Sequence, residues 1–125
     1  MTDHVATEKA PAAIGPYAQA RIAAGLLFVS GQLPIDPASG SFAGTDAPAQ
    51  ARQSLTNLAA IAEAAGTSLG KAVKMTVYVT DLGQFKAVNE VYAGFFQAPF
   101  PARTTVEVSA LPLGASVEID AIIAL

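Results

Sequence analysis

In the stretch FPARTTVEV, Phe100 to Val108, an arginine opens a β-like run in a chain whose charged residues make up only 14% of the total. Alternate side chains of a strand point to opposite faces, so Arg103, Thr105, Glu107 and Ser109 share one face and Thr104, Val106 and Val108 the other. A guanidinium at the head of such a polar row is a planar fork of donors that matches a carboxylate in two parallel hydrogen bonds, which lysine cannot do. The run VEIDAIIAL sets Glu118 and Asp120 on a polar face, against Val117, Ile119 and Ala121 on the other. A carboxylate there can hold a water and take its proton. If the intervening LPLGA closes a simple hairpin, Glu118 faces Glu107, Asp120 faces Thr105, and Arg103 lies further along the same face. Read without a ligand, the same residues make a solvated sheet face with exposed charges, the reading the strand pattern alone favours.

Three further positions carry polar groups where the pattern does not ask for them. Asn89 borders the apolar stripe Phe85, Val88 and Tyr92, where an amide wants a partner, either a backbone group or a ligand. Tyr17 in GPYAQA places a phenol just after a Gly-Pro turn. Ser30 and Gly31 in VSGQLP end an apolar strand with a hydroxyl and a residue whose backbone a ligand can approach closely. The Tyr17 and Ser30-Gly31 positions are equally readable as ordinary turn elements.

These residues need elements to hold them. AQARIAAG and LLFVSGQLPI read as two strands around Gly25, the second too continuously apolar to be solvated. Thr45 or Asp46 is placed to cap a helix with Pro48 in its first turn, running to about Ala65 with Leu55, Leu58, Ala59, Ala62 and Ala65 on one face and Gly66 as its stop. Residues 72–80 alternate, with Val73, Met75, Val77 and Val79 facing one way. Asp81 is placed to cap a second helix to about Phe96, ended by Pro99 and Pro101. Arg103–Ser109 and Ser116–Ala124 are the last strands. The order is ββαβαββ, an α+β single domain with two helices on one face of a mixed, mostly antiparallel sheet. Its other face needs a cover, and a partner copy of the chain would supply one.

Composition narrows the function. The chain has 125 residues, a net charge of −3 and 52% hydrophobic residues. Soluble domains carry about 25% charged residues, so the deficit here also points to self-association. The seven Lys and Arg residues are scattered, with no basic stripe for a phosphate backbone, so nucleic acid is not an expected partner. Without cysteine there is no thiol nucleophile, disulfide or thiolate metal site, and His4 stands alone in a polar N-terminal tail, residues 1–6, expected to be flexible. No apolar run approaches the roughly 18 residues of a membrane span, and the acidic N-terminus does not read as a secretory signal. The expected location is the cytosol, with no membrane partner.

Seven collinear segments, KAPAAIGPYAQA, LLFVSGQLPID, AQARQSLTNLAAIAEAAG, VKMTVYVTDL, VNEVYAGFF, PARTTVEVSALP and VEIDAIIAL, resemble the RidA (YjgF/UK114) family of reactive-intermediate deaminases from about Thr7 to Leu125. The resemblance implies a chorismate-mutase-like fold assembled as a homotrimeric barrel, sheets inward and helices outward, with clefts between subunits. It implies hydrolysis of enamines and imines such as 2-aminoacrylate to 2-keto acids and ammonia, with no metal or organic cofactor. By position, Arg103 would bind the substrate carboxylate and Glu118 would hold the attacking water, while Tyr17, Ser30, Gly31, Asn89 and Thr105 would line the pocket. Thr105 stands where many members carry cysteine, so only its backbone or hydroxyl can serve. The compact segment QAPFPAR would shape one wall.

Two other readings stay open on these residues. One is a trimeric module that binds small carboxylates without turning them over. The other is a ribonuclease, which the acidic balance and the absence of a catalytic histidine or a basic groove oppose.

Overall fold

A computed structural model describes residues 3–125. Six strands form one mixed sheet in the order β1-β2-β3-β6-β4-β5. They are β1 His4–Val5, β2 Ala20–Ala23, β3 Leu26–Gln32, β4 Ala72–Val79, β5 Ala102–Glu107 and β6 Val117–Ala124, with helices α1 Ala47–Ala64 and α2 Phe85–Ala93. The fold is the expected α+β arrangement with both helices on one sheet face.

The cleanest local match is β6, where Val117, Ile119, Ala121 and Ile123 are buried and the residues between them half-buried. That period of two turns one face to the helices. The Asp46 side chain accepts from Ala49 N–H at 2.9 Å and starts α1, with Pro48 in its first turn, where no intrahelical donor is lost. Gly66, at φ +84°, takes the left-handed conformation that ends it. Ala51, Leu55, Leu58, Ile61 and Ala62 bury the helix stripe against Leu27 and Val29 of β3 and the inward row of β6. Burying each Leu or Ile is worth about 1.5–3 kcal/mol, so this layer supplies most of the cohesion.

Four expectations need correction. LPLGA does not close a hairpin. It contains a 3-10 turn, Pro112–Gly114, with Leu113 at φ 59°. Strand β5 instead pairs in parallel with β4 at the sheet edge, and β6 pairs antiparallel with the other side of β4. The physical reason is the helix: β4, α2 and β5 form a strand–helix–strand crossover, which delivers its second strand parallel to the first. Glu118 therefore faces Tyr78, not Glu107, and Asp120 faces Thr76, not Thr105.

Val73 does not join the inward row. The β4–β6 register slips between Ala72 and Lys74, and this bulge turns Val73 outward, 46% exposed. Asp81 caps a 3-10 turn, Leu82–Gln84, that leads into α2, and α2 ends at Ala93 with Gly94 as its C-cap, short of Phe96.

His4 does not lie in a loose tail. Its strand pairs with β2, Val5 is buried, Ile22 N–H donates to the Asp3 carbonyl at 2.7 Å, and Arg21 pairs with Asp3 at 2.9 Å. The part of the expected flexible tail at residues 1–2 lies outside the described residues. No helix of the described chain is long and apolar enough to cross a membrane.

Candidate functional site

Arg103 opens β5 directly beside Met75 of β4. Met75, Val77 and Val79 are buried under the helices, so Arg103, Thr105 and Glu107 lie on that same sheet face. At the sheet edge α2 closes over the arginine. Its Nη1 donates to Asn89 Oδ1 at 2.7 Å, and its Cζ sits 5.2 Å from the Phe85 ring centroid and 4.7 Å from that of Tyr92. Among the described residues no carboxylate pairs with it. A cleft of about 400 Å³ opens here, lined by Asn89, Tyr92, Ala93, Phe100, Pro101 and Arg103, so the QAPFPAR segment does wall the arginine. Burial pushes the Tyr92 hydroxyl above its ordinary range, the Arg103 charge opposing.

Glu118 belongs to the other sheet face. It stands opposite Tyr78 on β4, whose hydroxyl donates to Asp120 Oδ2 at 3.1 Å. Burial raises the Glu118 carboxyl above the usual glutamate range and repulsion from Asp120 adds to it. Tyr78 is raised as well, by burial first and then by the Asp120 charge.

Strand β3 meets Glu118 through a bulge. Val29 pairs with Ala121 and Gln32 with Ile119, so three steps along β3 match two along β6, and Ser30–Gly31 bows out of register. Gly31 lies so close that a Cβ built on it would be 2.7 Å from Glu118 Oε2. The Ser30 hydroxyl donates to the Ala18 carbonyl at 2.6 Å and its N–H to that of Gln19 at 2.9 Å, tying the Tyr17 loop to β3. Tyr17 is 53% exposed and shares with Gly31 a cleft of about 360 Å³ that also includes Leu33, Ile35 and Leu113. A larger hollow of about 640 Å³ under the N-terminal arm has Tyr17 on its wall and none of the other candidate residues.

The candidates therefore fall into two groups. Asn89, Arg103 and Thr105 sit at the β5 edge on the helix face; Tyr17, Ser30, Gly31 and Glu118 gather around β3 and β6. Glu118, Tyr78 and Val106 are level across the sheet, and Arg103 is three residues before Val106. With strands about 4.8 Å apart and a rise of about 3.3 Å per residue, the Glu118 and Arg103 backbones are roughly 14 Å apart, their side chains on opposite faces. The expectation that they share one face of one chain is overturned.

Sequence reasoning missed Phe85 and Tyr92 as arginine contacts, although their spacing with Asn89 placed all three on one helix face. It also missed the buried latches. Gln19 accepts from Thr7 N–H at 2.8 Å and donates to the Thr7 and Pro11 carbonyls, and Asn57 donates to the Leu33 and Ile35 carbonyls at 3.2 and 2.9 Å. An amide amid apolar neighbours was the available signal.

A family model described as Endoribonuclease L-PSP matches residues 7–125. The chain is 58% identical over 125 residues to RutC family protein y4sK of Sinorhizobium fredii, covering 100% of this chain and 99% of that one. It is 51% identical to the 2-iminobutanoate/2-iminopropanoate deaminase of Salmonella typhimurium, covering 98% and 97%. Among solved structures, E. coli TdcF with bound serine superposes with a TM-score of 0.92 at 44% identity, covering 98% of each chain.

Proposed function

The chain belongs to the Endoribonuclease L-PSP family, also called YjgF/RidA, and on that premise we propose that it hydrolyses imines of small 2-amino acids to 2-keto acids and ammonia. The observation that carries the proposal is the state of Arg103: a guanidinium beside an open cleft, held by an amide and two rings, with no carboxylate partner among the described residues. A cation so placed lacks only an anion.

The site is completed by a second copy. A short imino acid does not reach from Arg103 to Glu118 of the same chain, so Arg103, Asn89 and Thr105 of one copy work with Tyr17, Gly31 and Glu118 of a neighbour. A closed ring of three copies, heterologous at each contact, repeats this cleft three times and covers the open sheet face. Phe28 and Val106 on that face, 42% and 37% exposed, favour such a cover.

In the cleft, the Arg103 fork fixes the substrate carboxylate and with it the C=N group. Glu118 orients a water and accepts its proton as the water oxygen bonds to the imine carbon. From a protonated imine this gives a neutral carbinolamine; Glu118 returns that proton to the nitrogen, the C–N bond breaks as ammonia leaves, and the hydroxyl proton passes to Glu118 as the C=O of the keto acid forms. β5 is the sheet edge, so outward backbone groups near Thr105 are available to the substrate.

Mixing tests the whole reading. Arg103→Ala and Glu118→Gln chains, each inactive alone on an imino acid generated in situ, regain ammonia release when unfolded together and refolded. Mixtures that stay inactive while still co-assembling sink the shared site. A second reading, carboxylate binding without turnover, is favoured by the serine bound in E. coli TdcF. Under it, Arg103→Ala abolishes binding of 2-oxobutanoate while the wild type releases no ammonia.

A further inference from the structure

We propose that Phe85 and Tyr92 are positioning residues that fix the plane of the Arg103 guanidinium, so that the fork meets a carboxylate already ordered. The inference rests on the reading of Arg103 as the carboxylate clamp.

Residues 85, 89 and 92 are four and three apart, which puts them on one face of α2. That face is turned to the arginine of β5, and its three members do different things. The two rings lie 5.2 and 4.7 Å from Cζ, within the range where the negative face of an aromatic ring attracts a cation. The Asn89 oxygen takes a proton of Nη1 at 2.7 Å and so sets rotation within that plane. The Nε–Nη2 edge, whose N–H bonds are parallel, donates to nothing among the described residues. An arginine on a bare strand edge would have to surrender most of its rotamer freedom on binding. Here that ordering is made beforehand by contacts independent of the ligand.

The platform is itself rigid. Tyr92 is 5% exposed and its ring stands 4.7 Å from that of Phe96. The Tyr92 hydroxyl is buried without a hydrogen-bond partner among the described residues, so the ring, not the hydroxyl, is what the arginine uses. Phe85 is half-buried at the rim and is free to change with little consequence for the core.

The experiment compares binding of 2-oxobutanoate by NMR titration in the wild type, Tyr92→Phe, Tyr92→Leu and Phe85→Leu, each checked by circular dichroism, and repeats the leucine changes in an Arg103→Lys background. Tyr92→Phe is expected to bind as wild type. Each leucine variant should bind about two- to fivefold more weakly, the scale of a cation–ring contact made by an exposed arginine. In the lysine background the same changes should cost almost nothing further, which a merely structural role would not produce. Should Tyr92→Leu fail to fold, Phe85→Leu carries the comparison. Leucine variants that bind like wild type, or that lose the same factor in both backgrounds, overturn the inference alone. A wild type that ignores 2-oxobutanoate overturns the clamp itself, and this inference with it.

Discussion

Gly31 and Glu118 are pressed together across the β3–β6 bulge, so that a methyl group on Gly31 would sit 2.7 Å from Glu118 Oε2 and 3.0 Å from its carboxyl carbon. The backbone there is not in the left-handed region, and it is the close approach that asks for glycine. The obstacle is the far end of a side chain that can swing aside. Gly31→Ala should therefore fold with a near-normal melting temperature while its carboxylate moves off the water site. Ammonia release from an imino acid should fall roughly a hundredfold, the usual scale of a displaced general base. A variant with wild-type turnover would remove this carboxylate from the chemistry.

The protonation of Glu118 gives a pH prediction. Its carboxyl is raised above the ordinary 4.5, first by burial and then by Asp120. The folded chain thus keeps this proton to higher pH than the unfolded chain. The associated stability is full below the ordinary glutamate value and is lost as pH rises through the raised one. In Glu118→Gln that part of the decline should vanish, read as a flatter melting-temperature profile between acid and neutral pH. Asp120→Asn removes only the repulsion, so the acid limb of the wild-type rate profile should move to lower pH in that variant. An acid limb that stays put or moves up would contradict the assignment.

Local elements were legible and their neighbours were not. The period of two in β6, the Asp46 cap and the glycine at 66 each follow from interactions within a few residues, so sequence reveals them. The position of β5 depends on α2 crossing over the sheet, and LPLGA looks like a hairpin turn unless that crossover is recognised. From that one choice followed the misplaced pairing of Glu118 with Glu107. Alternation correctly grouped Arg103 with Thr105 and Glu107, but only register with β4 shows that their face is the helix side and that Glu118 looks the other way. Candidate residues divided between sheet faces leave no trace of that division in a single strand's pattern. The seven collinear segments named candidate residues without saying that they are apart in one chain.

Asn57 offers a test of how the cleft wall is supported. It is fully buried in α1, accepts from Gln53 at 2.8 Å and donates to the Leu33 and Ile35 carbonyls, both on the wall shared with Tyr17 and Gly31. Asn57→Leu fills the volume but takes from the Ile35 carbonyl its side-chain donor and from the Leu33 carbonyl one of two, Ile35 N–H remaining at 2.8 Å, at about 1–3 kcal/mol for the first. The melting temperature should drop by roughly 5–15 °C, and KM should rise more than kcat falls, because the wall loosens while Glu118 stays on β6. Unchanged stability would show that these bonds are replaced by water.

Thr105 decides what the second residue after the arginine contributes. Its hydroxyl is buried without a partner among the described residues, although the side chain sits one strand position beyond Arg103 on the same face. Such an oxygen carries its desolvation cost with no hydrogen bond to offset it, about 1–3 kcal/mol. Valine has nearly the same shape and no hydroxyl, and it suits an edge strand at least as well. If the backbone of this residue is what steadies the substrate, Thr105→Val should melt at the same or a higher temperature and keep kcat/KM within a few-fold of wild type. Thr105→Cys should behave alike, since a thiol is a weak donor with no partner there either. A large fall in kcat/KM for valine, repaired by serine, would instead assign the hydroxyl to the ligand and show that its missing partner is the substrate.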